Sequence, residues 1–192
     1  SIGDIKDYIF YQTDITNYYG SINHNLLIEK ISRILKKEPK KGILINFLKT
    51  IIENPTVEFG SKKLKKKSEN EEGIPQGLSI SNILANLFML EFDYKMNYFI
   101  KNKEYGMIGY YRYVDDILII CKKTEFFKME CMFKNEIKRH KLELHKDKTE
   151  VNDLSISDKK LDFLGYIFSY KNGYQSKHLK LSNFIIVPRE RT

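Results

Sequence analysis

Two adjacent aspartates, Asp115 and Asp116, sit between Tyr110-Tyr111-Arg112-Tyr113-Val114 and Ile117-Leu118-Ile119-Ile120. Aromatic and β-branched residues on both sides favour a pleated, half-buried surface. An ionised carboxylate inside such surroundings is strongly unfavourable unless something charged compensates it. The pair therefore belongs at a turn between paired strands, at a metal, or at both.

Around this hairpin, apolar periodicity marks further elements. Residues 9–16 alternate as a strand, with Asp14 near its end. Leu26, Leu27, Lys30, Ile31, Ile34 and Leu35 recur at helical spacing behind Asn23 or Asn25 as the cap, and Pro39 ends that helix. A second helix is predicted over 42–53, where Ile43, Leu44, Phe47, Leu48, Ile51 and Ile52 make an apolar stripe read as plain core packing. Asn54-Pro55 breaks it, and Thr56-Val57-Glu58-Phe59 with the basic run at 62–67 reads as an exposed hairpin with a solvated surface. Gly73-Ile74-Pro75-Gln76-Gly77 is a turn-rich loop, after which Ser79 or Ser81 can cap a long helix carrying Ile80, Ile83, Leu84, Leu87 and Phe88 on one face. A helix over about 124–140 turns Phe126, Met129, Phe133 and Ile137 inward, and Leu142-Glu143-Leu144 reads as a short strand. After a polar linker at 152–160, residues 161–170 read as a strand that turns at Asn172-Gly173. The core order is strand, helix, two paired strands, helix, strand. That is an α+β fold on the ferredoxin-like plan, with helices on one face of an antiparallel sheet.

A chain of 192 residues, 42% of them hydrophobic, supports one well-formed core and is not a disordered tail. Lys+Arg 33 against Asp+Glu 25 leaves a formal charge of +8, which suits polyanionic partners such as nucleic acid and equally an ordinary lysine-rich surface. Cys121 and Cys131 have no metal-type spacing and make no disulfide framework, so a reducing, cytoplasmic setting is expected. No apolar run approaches the roughly 18–20 residues that span a bilayer, and the start lacks a signal peptide's charged and apolar regions, so no membrane partner is expected. A core strand within the first fifteen residues makes the chain read as a piece of a larger protein.

In the ferredoxin-like topology the first strand lies beside the central hairpin, which brings Asp14 toward Asp115 and Asp116. Like charges so close raise each other's pKa unless cations hold them ionised. Two divalent ions roughly 3.5–4 Å apart are the usual arrangement for in-line phosphoryl transfer, and hard oxygen ligands with positions left for water and phosphate favour Mg²⁺. Asp-Asp alone is also what a hydrogen-bonded turn carries; the strand-end Asp14 is what favours a metal site. The backbone carbonyl of Ile15 is a further available oxygen. His24 and His145 read as surface or turn residues rather than ligands.

Five segments resemble, in order, spacing and flanking residues, the successive palm motifs of reverse transcriptases. They are Thr13-Asp14-Ile15-Thr16-Asn17-Tyr18-Tyr19-Gly20-Ser21-Ile22, Gly73-Ile74-Pro75-Gln76-Gly77-Leu78-Ser79-Ile80-Ser81-Asn82, Tyr113-Val114-Asp115-Asp116, Leu142-Glu143-Leu144-His145-Lys146-Asp147-Lys148-Thr149 and Leu161-Asp162-Phe163-Leu164-Gly165-Tyr166. The resemblance covers about residues 9–170. It implies a polymerase palm with part of the fingers at about 36–75, in one domain fragment over 1–192 that lacks the upstream fingers and most of the thumb. The wording of the motifs looks most like bacterial reverse transcriptases, including phage-defence types.

The resemblance also implies roles. Asp14, Asp115 and Asp116 map onto the acids that bind two Mg²⁺ ions, for which Mn²⁺ can substitute. Tyr19 maps onto the aromatic gate against a ribose 2′-hydroxyl, with core packing the alternative for it and, more readily, for Tyr18. Gln76 and Gly77 map onto the loop beneath the incoming nucleotide, or make an ordinary helix N-terminal turn. Lys148 maps onto a lysine that protonates or neutralises the pyrophosphate leaving group. Phe163, Leu164 and Gly165 map onto the primer-gripping hairpin, unless they pack under the sheet. The implied partners are a nucleic-acid template and primer and deoxynucleoside triphosphates, and oligomeric state is not legible. Two other functions fit the same residues: an RNA-dependent RNA polymerase, against which Tyr19 argues, and a palm that has lost catalysis and binds nucleic acid. A pure binder would do better with fewer negative charges near phosphate.

Overall fold

The computed structural model describes residues 5–53, 71–154, 156, 160–170 and 184–188. The hairpin and basic run expected at 56–67 and the turn expected at Asn172-Gly173 lie outside the described residues. The chain divides into two compact units, one of Ser1–Ile15, Lys95–Asn135 and Leu144–Thr192, the other of Thr16–Tyr94 and Glu136–Glu143.

The first unit is built on a sheet. Strand β1 (Tyr8–Asp14) runs antiparallel between β3 (Asp116–Lys122) and β4 (Glu150–Asn152), and β2 (Met107–Tyr113) flanks β3, giving the order β2-β3-β1-β4. That is the order of the ferredoxin-like plan. The period-2 alternation of β1 sends Tyr11 to one face and Phe10, Gln12 and Asp14 to the other. Fully buried Tyr11 meets Phe126 and Phe133 of helix α4 (Phe126–Arg139), at ring separations of 5.9 and 5.8 Å. On the opposite face Phe10 and Leu118 bury against Leu154, Leu161 and Phe163. Leu161 and Phe163 belong to a second sheet, β5 (Lys160–Phe163), β6 (Tyr166–Tyr170) and β7 (Phe184–Pro188), in that order.

Two strands differ from the expectation. The strand after α4 in this sheet is Glu150–Asn152 rather than Leu142-Glu143-Leu144. Leu142 instead closes helix α4, donating its amide to the Ile137 carbonyl (3.2 Å) beyond Lys141 at φ 56, and Leu144 makes only an isolated bridge to Ile15. Residues 161–170 are not one strand, because Leu164 (φ 53) and Gly165 (φ 77) both adopt left-handed backbone and fold the segment into the β5–β6 hairpin.

The second unit is helical. Helix α1 (His24–Ile34) is capped by Asn23, whose side chain accepts from the Leu26 amide at 3.1 Å, and it ends at Leu35, before Pro39 is reached. Helix α2 (Lys41–Ile52) follows, then α3 (Ser79–Lys101) after the loop at 71–78. The α2 stripe is core only in part: Ile52 is buried, but Ile43 is 72% and Phe47 59% exposed, and the helix buries Ile45 from outside the stripe. Its sequence is apolar on more than one face, so periodicity could not select which face packs. Ile83 of α3 is likewise exposed, and His24 is buried, with Nε2 on the Gly73 carbonyl oxygen at 2.5 Å.

Lys30 fell among the apolar positions of α1 for a physical reason: it is buried. Its Nζ donates to the Phe88 carbonyl at 2.6 Å and lies 4.5 Å from the Phe88 ring centre. Burial pulls its pKa down to about 8, against the opposing pull of Glu91. The folded protein releases this proton between about 8 and the ordinary value of 10.5, whereas the unfolded chain still holds it. Stability relative to a Lys30→Met variant should therefore rise across that window, by about 1–3 kcal/mol in paired urea titrations.

Candidate active site

Asp14 is the last residue of β1 and lies directly opposite Asp116, the first residue of β3. Tyr113 pairs with Asp116 from the other side, so Val114 and Asp115 form the connecting turn. Val114 holds φ 56, a conformation that costs a β-branched residue on the order of 1–3 kcal/mol and persists only where the surroundings over-determine it. Those surroundings are visible. Arg112 Nη1 donates to the Val114 carbonyl at 2.9 Å, and the Ile15 amide donates to the Asp115 carbonyl at 3.2 Å. Sequence reasoning placed these three acids together, and the sheet register does so.

Lys148 joins them from a short 3-10 turn, Lys146–Lys148, with its Nζ 2.9 Å from Asp14 Oδ2. Backbone and hydroxyl bonds hold that turn against β1: the His145 amide donates to the Asp14 carbonyl (2.8 Å), Thr149 Oγ1 to the His145 carbonyl (2.9 Å), and the Thr13 and Thr149 hydroxyls lie 2.8 Å apart. The Asp14 carboxylate raises the Lys148 pKa through this hydrogen bond and its charge. Burial, then Asp115 and Asp14, push the Asp116 carboxyl above its ordinary range, and Lys148 opposes them.

Asp14, Asp116 and Lys148 open on a cleft of about 350 Å³ that Gln12, Leu164 and Gly165 also line, while Asp115 stands at the turn outside its lining. Of the hairpin residues matched to primer gripping, Leu164 and Gly165 face this cleft at the β5–β6 turn. Phe163 does not, being buried in the core beside Phe10 and Leu118 because the strand's alternation turns it inward.

The donor set fits a hard divalent cation: carboxylate oxygens gathered at one end of a sheet, with one of them forced toward protonation by its neighbours. Among the described residues no three His, Cys, Asp or Glu side chains already close around a single point. Because the Asp116 pKa is raised, its contribution to stability is present below 3.8 and lost as pH rises through the shifted value, so at pH 7 its charge is a net cost. Asp116→Asn should therefore melt higher than the parent without metal. Conversely, Mg²⁺ at about 100 times its dissociation constant should stabilise the parent by ~2.7 kcal/mol, an increment that scanning calorimetry should find missing from Asp14→Asn.

The second unit carries Tyr19, Gln76 and Gly77 together. Tyr18–Ser21 forms a single 3-10 turn in which Tyr18 is core, as expected, with its hydroxyl on the Ala85 carbonyl (2.6 Å). Tyr19 is half-buried, edge-on to Tyr18 at 5.8 Å, with its hydroxyl on Asn82 Oδ1. The loop at 71–74 is laced to this segment, the Gly73 amide donating to the Ile22 carbonyl and the Ile74 amide to the Tyr19 carbonyl, each at 2.9 Å. Tyr19, Gln76, Gly77, Ser79 and Asn82 line a cleft of about 490 Å³. Gly77 has φ 86 and nothing within 4 Å of where a Cβ would stand, so backbone geometry rather than crowding demands glycine there.

Sequence reasoning missed the supporting residues. Asn82 was inside a matched segment, but nothing in one sequence pairs it with Tyr19. Gln12, Thr13 and Thr149 depend on strand register, which motif spacing does not reveal.

This four-stranded sheet, with paired acids at its central turn and a third at the adjoining strand end, has the arrangement expected of a polymerase palm. The fold is similar to solved telomerases. Apo telomerase from Candida tropicalis truncated from its C-terminal domain aligns at TM-score 0.66 with 22% identity, over 84% of this chain and 34% of that one. Telomerase from Candida albicans in complex with a TWJ fragment of telomeric RNA aligns at 0.66 with 14% identity, over 87% and 31%. Apo telomerase from Candida tropicalis aligns at 0.67 with 17% identity, over 88% and 32%. The chain thus spans about a third of the length of these telomerases. No curated protein sequence matches it. The family model for reverse transcriptase (RNA-dependent DNA polymerase) matches residues 4–168, and the chain belongs to that family. No helix among the described residues is long and apolar enough to cross a membrane.

Proposed function

We propose that the chain is the palm, with part of the fingers, of an RNA-directed DNA polymerase that adds deoxynucleotides to a primer. The observation that carries this is the pairing of Asp14 with Asp116 across β1 and β3, with Asp115 at the adjoining turn and Lys148 on Asp14. Asp14, Asp115 and Asp116 would hold two Mg²⁺ ions. Those ions, when bound, activate the primer 3′-hydroxyl and neutralise the triphosphate, with Mn²⁺ able to replace them.

The protein's own residues do the rest. The 3′-hydroxyl attacks the α-phosphate of the incoming nucleotide, the bond to the β-phosphate breaks, and pyrophosphate leaves. Lys148, released from Asp14, donates a proton to that leaving group or offsets its charge. Tyr19 excludes the 2′-hydroxyl of a ribonucleotide, while Gln76 and Gly77 support the nucleotide and template base. Leu164 and Gly165 carry the primer end on the cleft side of the β5–β6 turn. A nucleic-acid partner is also supported by the RNA complex of the Candida albicans telomerase and by the net charge of +8.

The deciding assay is Mg²⁺-dependent primer extension by the full-length protein on an RNA template, beside the Asp115→Ala, Asp116→Ala double variant. Extension lost in the variant is the expected result. Undiminished function in it would replace catalysis with nucleic-acid binding.

A further inference from the structure

Gln12 is an amide on the acid-bearing face of β1, two residues before Asp14 and opposite Leu118 of β3. Its Nε2 donates to the main-chain carbonyl of Asp162 at 2.8 Å, across 150 positions of sequence. Asp162 lies in β5, which pairs with β6 in the second sheet. Gln12 therefore ties β1 to β5 two residues ahead of the Leu164-Gly165 turn. Its own Oε1 is buried with no hydrogen-bond partner among the described residues.

That combination is not what stability alone would select. The same face presents Phe10, Leu118, Leu161 and Phe163, so an apolar side chain at position 12 would avoid burying the unpartnered Oε1 and would lose only the bond to the Asp162 carbonyl. The amide is tolerated for what its N–H group does. Gln12 and Asp14 share one strand and one cleft with Leu164 and Gly165, so a single hydrogen bond fixes the turn's distance from the carboxylates.

We propose that Gln12 is a positioning residue that holds the primer-side turn in register with Asp14 and Asp116, an inference that rests on the polymerase reading above. The primer end, carried by Leu164 and Gly165, would then be delivered to the acids by a donor on the same strand as Asp14.

Gln12→Met keeps the length of the side chain and removes the donor. Gln12→Leu, a shorter apolar side chain also without a donor, serves if the first variant fails to fold. Hydrogen–deuterium exchange of the full-length protein should show amides 161–168 exchanging about tenfold faster in either variant, with amides 107–122 unchanged; tenfold corresponds to ~1.4 kcal/mol, one hydrogen bond. In primer extension, KM for primer–template should rise about tenfold while KM for the nucleotide and the Mg²⁺ requirement stay put. Unchanged exchange at 161–168, or equal losses in primer and nucleotide KM, would overturn the assignment. If the parent protein extends no primer, the polymerase reading is what fails, and the exchange result still decides whether Gln12 holds the turn.

Discussion

Asp115→Asn is expected to slow nucleotide addition on the order of a thousandfold, about 4 kcal/mol of transition-state stabilisation, with the fold intact. The reasoning starts from the turn. Val114 and Asp115 connect β2 to β3, and the part of Asp115 that the neighbouring strand uses is its carbonyl, which accepts from Ile15. Asparagine keeps that carbonyl, suits a turn as well as aspartate does, and has almost the same volume. What it removes is the anionic oxygen that a hard cation requires. Single-nucleotide extension at saturating substrate, with a melting curve beside it, separates the effects: activity should collapse while the melting temperature holds or rises, since one of three repelling charges is gone. A variant that keeps activity within about tenfold would show that Asp115 is a turn residue and no more.

The elements that make this prediction possible were the legible ones. Alternation predicts β1 and the β2–β3 hairpin because each strand has one face to bury, and a charged pair in the middle of such a pattern belongs at a turn, at a metal, or at both. The ferredoxin-like order then follows from connectivity, and with it the approach of Asp14 to Asp116. Legibility fails where burial is decided by a partner rather than by the residue. Ile43 and Phe47 form as good an apolar stripe as any in the chain, yet α2 packs through Ile45 and Ile52. Lys30 shows the converse, a charged residue in an apolar stripe that is core after all, its ammonium satisfied by the Phe88 carbonyl and ring. The strand after α4 was misplaced because Leu142-Glu143-Leu144 alternates over too few residues to outweigh a helix cap and a 3-10 turn. Gln12 lies deepest, since its hydrogen bond depends on how two sheets meet, which no local pattern encodes.

Tyr19→Ala is the second large effect, expected to cut the preference for deoxynucleotides over ribonucleotides by roughly a hundredfold. A gate excludes a hydroxyl only if its ring cannot step aside, and Tyr19 is fixed at three points. Its carbonyl accepts from the Ile74 amide at 2.9 Å, its hydroxyl is bonded to Asn82, and its ring edge meets Tyr18, itself pinned to the Ala85 carbonyl. Alanine deletes the ring and opens the space, so ribonucleotide kcat/KM should rise while deoxynucleotide kcat/KM changes little. Tyr19→Phe keeps the ring and loses only the Asn82 bond, so it should retain most of the selectivity, and Asn82→Ala should match it, since each removes the same single restraint. Selectivity that survives in Tyr19→Ala would make Tyr19 a packing residue like Tyr18, and strict ribonucleotide use by the intact protein would reject the gate altogether. The ordering of Tyr19→Ala, Tyr19→Phe and Asn82→Ala is the stringent part, because a generally weakened second unit would lower both substrates together and leave their ratio where it was.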